Sequence, residues 1–308
     1  MSKDNHTVSE FLLLGFPQMI GINAVILFLL ILIIYIMTLI LNSMIIVLVS
    51  TRPQLHSPMY FFLQQLSINE IVLLTIIIPN MLRVIWLEGA TISITGCVAQ
   101  SYLYVAFACS ECHLLAVMSY DRYLAICNPL RYSTIMNINL QHSLVIYCWV
   151  FGFLVTQITL HFMFQLQFCG SNVIDHFFCD LGPFIELSCS STYALQLDIF
   201  IFSVLVIVIP FILVVISYIC VFTTILGITS KTGRKKTFST CSSHLSVVTM
   251  YYGTLTTIYL VPASGDSLTI NKVIALLYIV VTPLFNPIIY SLKNQEMRVI
   301  MGKLLSIK

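Results

Sequence analysis

Two carboxylates, Glu70 and Glu111, lie deep inside apolar stretches of the chain, and an acid-base pair, Asp121-Arg122, closes the stretch that holds Glu111. In apolar surroundings such groups are costly unless they are paired, share a proton or hold a cation. Two carboxylates buried close together cannot both stay ionised cheaply. The available chemistry is therefore charge pairing. A proton or a cation can sit between Glu70 and Glu111, and Asp121-Arg122 can form an ion pair that opens and closes.

Spacing ties these groups to one rod. Tyr104, Ala108, Glu111, Leu115, Met118 and Arg122 recur at alternating steps of four and three, which places all six on one helical face. At about 1.5 Å per residue, Tyr104 and Arg122 stand about 27 Å apart along the axis. A rod of this length joins the two sides of a bilayer and carries ionisable groups at two depths.

The rest of the chain supplies the surroundings for that rod. Its 308 residues are 59% hydrophobic and only 8% charged, with a formal net charge of +2. A soluble domain has about 25% charged residues, so this chain cannot coat a water-soluble globule. Seven apolar stretches stand at about 24–50, 58–85, 97–127, 141–163, 196–226, 238–262 and 270–292. Irregular backbone facing lipid would leave polar groups unsatisfied, so each stretch is expected to be a helix. The predicted fold class is an all-α membrane protein, a seven-transmembrane helix bundle. It follows an amino-terminal segment, 1–23, occupies 24–292, and leaves a tail at 293–308. Pro79, Pro210, Pro283 and Pro287 interrupt the stretches and are expected to mark bends.

Charge sets the orientation. With the amino terminus outside, the inner segments hold Arg52, Arg122, Arg131, Lys231, Arg234, Lys235, Lys236, Lys293, Arg298, Lys303 and Lys308, while the outer side holds Lys3, Lys272 and Arg83. The tail is then cytoplasmic, and the basic residues anchor against anionic membrane lipid. The amino terminus lacks the order of a cleavable signal peptide. Asn5-His6-Thr7 is an N-glycosylation sequon on the outer side. Cys97, Cys169, Cys179 and Cys189 also face outward, and three disulfide pairings are open to them.

Several function classes are disfavoured. The chain has no metal-ligand repeat, no glycine-rich phosphate loop and no nucleophile with a placed base, so an enzyme is not expected. Nor is a nucleic-acid partner. A transporter would be expected to show internal repeats and a polar track through the bilayer. Seven spans do not divide evenly, and only two carboxylates lie in the core.

Four blocks, in order, carry a family resemblance. They are Leu55-His-Ser-Pro-Met-Tyr-Phe-Phe-Leu63, Met118-Ser-Tyr-Asp-Arg-Tyr-Leu-Ala-Ile-Cys127, Lys236-Thr-Phe-Ser-Thr-Cys-Ser-Ser-His-Leu245 and Pro283-Leu-Phe-Asn-Pro-Ile-Ile-Tyr290. Together they resemble the olfactory receptors of the tetrapod-type class, which are rhodopsin-like G-protein-coupled receptors. The resemblance covers nearly the whole chain. It departs from the usual pattern at Ser119, Leu124, Thr237 and Tyr251, and at Glu70, where aspartate is commoner.

The resemblance implies roles for particular residues. Asp121, Arg122 and Tyr123 would form the G-protein switch, with Tyr218 and Tyr290 as hydroxyl partners of the active arrangement. Glu70, Glu111 and Asn286, with Ser67 or Asn42 nearby, would hold a sodium ion as a modulator; no other cofactor is expected. Cys97–Cys179 would be one disulfide, and Cys169–Cys189 fits the same family. Ligand contacts are expected from Tyr104, Val105, Ala108 and Cys109 on span three and from Phe202, Ser203 and Val206 on span five. Tyr252, Leu255 and Tyr259 on span six and Ile279 on span seven complete the set. The group is mostly apolar and has no acid at the level of Tyr104, which points to a small neutral odorant. The implied partner is a stimulatory, olfactory-type heterotrimeric G protein that raises cyclic AMP. The implied location is the plasma membrane, in the cilia of olfactory sensory neurons. A chemosensory receptor outside the nose is the alternative.

Overall fold

The computed structural model of the chain describes residues 8–260, 267–293 and 297–300. Asn5 and its sequon lie outside the described residues. Helices dominate: α1 (Ile22–Thr51), α2 (Pro58–Trp86), α3 (Ile94–Cys127), α4 (Pro129–Ile135), α5 (Ile138–Met163), α6 (Leu181–Leu187), α7 (Tyr193–Ser203), α8 (Ile209–Leu226), α9 (Lys231–Leu260), α10 (Ser267–Leu276) and α11 (Thr282–Lys293). A π-helical turn at Val204–Val208 joins α7 to α8, and another at Leu277–Val281 joins α10 to α11. Each stands just before a proline, Pro210 or Pro283. A proline nitrogen cannot donate to the carbonyl four residues back, here on Val206 or Ile279, and the wider turn falls where that bond is missing.

Six of these runs are long and apolar enough to cross a bilayer: Ile22–Thr51, Pro58–Trp86, Ile94–Cys127, Ile138–Met163, Tyr193–Leu226 and Lys272–Tyr290. The remaining long helix, α9, begins Lys-Thr-Gly-Arg-Lys-Lys and carries many hydroxyls, which lowers its hydropathy. Burial runs opposite to hydropathy. In α3 the most apolar window has a mean hydropathy of only 1.3 yet is 83% buried, whereas in α1 the values are 3.2 and 17%. That is the pattern of a chain whose apolar exterior meets lipid and whose polar groups turn toward protein.

The chain forms two compact units. One gathers Met1–Ile36, Val72–Ser110 and Trp149–Val204; the other gathers Met37–Ile71, Glu111–Cys148 and Leu205–Lys308. The first contains a small sheet that the sequence did not suggest. Strand β1 (Glu10–Leu13) lies between β2 (Ala90–Ser93) and β3 (Val173–Ile174), antiparallel to β2 and parallel to β3. Alternation along β1 buries Phe11 and Leu13 and exposes Glu10. The Phe11 ring meets Phe168 and Phe184 edge-on at 5.0 and 5.7 Å. Gly15 leaves the strand at φ +62°, where a Cβ would stand 2.6 Å from Cγ1 of Val84. In the same unit α3 and α5 pack closely at Gly152, where a Cβ would lie 2.5 Å from Oγ of Ser110 and 2.6 Å from the carbonyl oxygen of Ala106.

The second unit has an aromatic core where α3, α9 and the π turn at Leu277–Val281 meet. Tyr251 and Tyr252 are in edge contact at 5.6 Å, and Tyr251 meets Tyr278 at 5.5 Å. The Tyr252 hydroxyl donates to the carbonyl oxygen of Cys112 at 2.7 Å.

Candidate functional site

The end of α3 gathers charge. Arg122 bonds Asp121 through Nε at 3.0 Å and through its terminal nitrogen, both to Oδ2. The other carboxylate oxygen, Oδ1, accepts from the Tyr132 hydroxyl at 2.7 Å. Tyr132 is presented by α4, a short helix opened by Pro129. Burial, then the neighbouring Asp121 charge, push the Tyr132 hydroxyl well above its ordinary pKa, so it stays a donor. The Asp121 side chain is almost fully enclosed and that of Arg122 is 15% exposed. The Tyr123 ring stacks on Tyr120 at 6.2 Å.

Tyr218 on α8 and Tyr290 on α11 flank His244 of α9. The Tyr218 hydroxyl lies 2.5 Å from Nδ1 of His244, and the Tyr290 ring centre lies 6.4 Å from that of the histidine. The Tyr290 hydroxyl and Nε2 of His244 are buried with no hydrogen-bond partner among the described residues.

The two buried carboxylates come together. Glu70 is close enough to feel the Glu111 charge and accepts a hydrogen bond from Asn286, while the nearby Asn42 amide donates to the carbonyl oxygens of Thr38 and Pro283 at 3.2 and 3.4 Å. Asn69 donates to Glu111 Oε2 at 3.5 Å. Around this cluster Oε2 of Glu70, Oε1 of Glu111, Oδ1 of Asn42 and Oδ1 of Asn286 are buried without a donor among the described residues. Two carboxylates and two amide oxygens make an all-oxygen set, which suits a small hard cation. The residues present therefore fit a sodium ion.

On the outward side Cys97 and Cys179 form a disulfide with Cα atoms 5.4 Å apart, and Cys169 and Cys189 form another at 6.1 Å. The first ties the segment before α6 to the second turn of α3. Gln100 reinforces it, donating to the Ile76 carbonyl at 3.0 Å and accepting from the Cys179 N–H at 3.1 Å. Phe178, also fully buried, meets the Tyr104 ring at 5.1 Å.

The expected ligand contacts fall in both units. Tyr104, Val105, Ala108, Cys109 and Ser203 are buried in the first, where Phe202 is half-buried. Val206, Tyr252, Leu255 and Ile279 are buried in the second. The Ser203 hydroxyl is used within its own helix, bonding the Ile199 carbonyl at 2.8 Å. The Tyr259 side chain lies outside the described residues.

Comparison with known proteins decides the family. Residues 31–308 match the olfactory receptor family. The chain belongs to the olfactory receptor family. Among curated relatives it is similar to human Olfactory receptor 10A3, 44% identical over 97% of this chain and 95% of the relative. It is 45% identical to human Olfactory receptor 11L1 over 96% of this chain and 92% of the relative. It is 43% identical to rat Olfactory receptor 1468 over 97% and 95%.

Olfactory receptors are multi-pass receptors of the plasma membrane and signal without being enzymes, and their fold is the seven-helix bundle of G-protein-coupled receptors. In this olfactory receptor the sequence reading passed over Tyr132, His244, Asn69 and the Tyr251–Tyr278 contact. The first carried a usable signal: a helix-opening Pro129 places a tyrosine in the first turn of the helix that follows α3, eleven residues after Asp121. His244 had one too, as a lone imidazole in the hydroxyl-rich block Ser239-Thr-Cys-Ser-Ser-His-Leu-Ser246. Asn69 and Tyr278 look like ordinary residues of a span and become visible only once α2 meets α3 and α9 meets the π turn at Leu277–Val281.

Proposed function

We propose that this olfactory receptor binds a small, neutral, largely apolar odorant and activates a stimulatory, olfactory-type heterotrimeric G protein, raising cyclic AMP. The ligand prefers the active arrangement of the helices and shifts the population toward it by no more than its difference in affinity for the two states. The observation that carries this reading is the Asp121–Arg122 pair, closed from the second oxygen by Tyr132. A charge held in this way is a switch waiting for a competitor. On activation Arg122 leaves Asp121 and turns toward the G protein, and Tyr218 and Tyr290 supply hydroxyls to the active arrangement. A sodium ion held by Glu70, Glu111 and Asn286 favours the resting state. Asn5 carries a glycan, and Tyr104 and Tyr252 are the first ligand contacts to test.

The test is a cyclic AMP assay in cells expressing the full chain with an olfactory G protein, screened with an odorant mixture. Arg122→Glu is expected to reach the cell surface and lose the response. A surface-expressed Arg122→Glu receptor that answers an agonist as the wild type does overturns the proposal.

A further inference from the structure

A buried hydroxyl on α3 is the exception among its kind. Hydroxyls inside helices normally fold back onto the carbonyl four residues earlier. Ser110, Ser119, Thr156, Ser203 and Ser246 all do so here, at 2.7–3.0 Å. Ser101 does not. It is fully buried, and its Oγ has no hydrogen-bond partner among the described residues, although the Cys97 carbonyl stands four residues back. A buried polar atom without a partner is unfavourable, and in a native protein it asks for an explanation.

Its position supplies one. Ser101, Tyr104, Val105 and Ala108 follow the i, i+3, i+4, i+7 pattern of a single helical face. Three of the four are the span-three residues expected to meet the ligand. The turn above Ser101 is fixed by the Cys97–Cys179 disulfide, and the turn below carries Tyr104 with Phe178 packed against its ring. Gln100, its neighbour, is already committed to Ile76 and Cys179. The disulfide, Gln100 and the Tyr104–Phe178 contact are thus committed, while the Ser101 hydroxyl is unused among the described residues.

We propose that Ser101 is a specificity-determining residue for the ligand: its hydroxyl hydrogen-bonds an oxygen function, such as a hydroxyl, aldehyde, ketone or ester group, on an otherwise apolar molecule. This rests on the receptor reading above and deepens it by naming the ligand's polar chemistry. A serine hydroxyl donates to a carbonyl oxygen and accepts from an alcohol, so both groups suit it. A site arranged around a hydrogen bond rejects the analogue that lacks the partner, because the protein's own group is then left unpaired. The pure hydrocarbon of equal length is therefore discriminated against.

The experiment uses the purified full chain, melted alone and with octanol, octanal, octyl acetate or octane, together with Ser101→Ala and Ser101→Thr. The oxygenated probes are expected to raise the melting temperature of the wild type and octane to do so less. Ser101→Ala should weaken binding of the oxygenated probes by roughly ten- to a hundredfold and leave octane unaffected, and Ser101→Thr should restore much of the difference. Without a probe, Ser101→Ala should melt at or above the wild type, since it removes an unpaired polar atom. A lower melting temperature for probe-free Ser101→Ala shows that the fold uses the hydroxyl and overturns the proposal. A wild type that no oxygenated probe stabilises, or that octane stabilises equally well, also overturns it. Binding is read here without any signalling step, so a receptor that binds but raises no cyclic AMP counts against the proposed function and not against Ser101.

Discussion

Tyr132 donates a hydrogen bond to the oxygen of Asp121 that Arg122 leaves free. The acid is thereby saturated, one oxygen by the arginine and one by a phenol from the next helix. Hydrogen bonds to charged groups contribute about 1.5–3 kcal/mol, and only the part lost on activation biases the switch. Tyr132→Phe is expected to raise basal cyclic AMP roughly two- to tenfold at equal surface expression. The phenol is the protonated form of a group whose folded-state pKa is raised. Its bond is present at low and neutral pH and is lost only as pH rises through that folded value. Basal signalling should therefore show no Tyr132 titration between about pH 6 and 9.

Neutralising Glu111 tests the ion site. In membranes from expressing cells, replacing choline with sodium should lower the basal signal of the wild type. Glu111→Gln replaces one of the two carboxylates proposed to hold the ion, and should flatten that dependence. A variant that kept both its basal level and its sodium response would show that the unpaired oxygens around Glu70 and Asn286 serve something else.

The two disulfides should differ in value. Cys97–Cys179 spans 82 residues and Cys169–Cys189 spans 20. On a chain-entropy basis the longer closure contributes about 4–5 kcal/mol and the shorter about 3. Cys97→Ser should therefore lower the melting temperature of detergent-purified receptor more than Cys169→Ser. It also frees the segment that Gln100 and Phe178 hold against α3, so ligand response should fall with stability in that variant first.

Two glycines give opposite expectations. A Cβ at Gly152 would sit 2.5–2.6 Å from Ser110 and the Ala106 carbonyl, whereas one at Gly253 meets nothing within 4 Å. Gly152→Ala should push α5 off α3 and cost about 1–3 kcal/mol. Gly253→Ala, in the interior of α9, should stabilise by about 0.5–1 kcal/mol through helix propensity. Melting curves of the two variants side by side check both signs.

The helical part of this fold was legible because lipid demands it. Long apolar runs have only one way to satisfy their backbone, and the stretch around Glu111 announced its own importance by carrying charge where charge is costly. The switch pair could be named because Asp121 and Arg122 are adjacent in the chain. What escaped depended on distance along the sequence. Tyr132 matters only when α4 folds back under α3. The prolines at 210 and 283 pointed to bends, but the wide turns sit ahead of them, at the carbonyls they leave without a donor. Ser101 reads as one small residue among many until the other hydroxyls are seen to be occupied. The first strand was least visible of all: Glu-Phe-Leu-Leu is too short to stand out, and neither of its neighbours in the sheet is near it in sequence.

That strand constrains how the receptor is made. Glu10 pairs opposite Ser93, and Leu12 pairs beside Val173. The ribosome must add about 160 residues after β1 before β3 exists, which at 5–20 residues per second takes about ten to thirty seconds. Throughout that interval the sheet is incomplete, and Phe11 and Leu13 have at most β2 beside them. Every newly synthesised copy passes through a stage at which its leading end is sticky and unfinished, and a lumenal chaperone has time to hold it there.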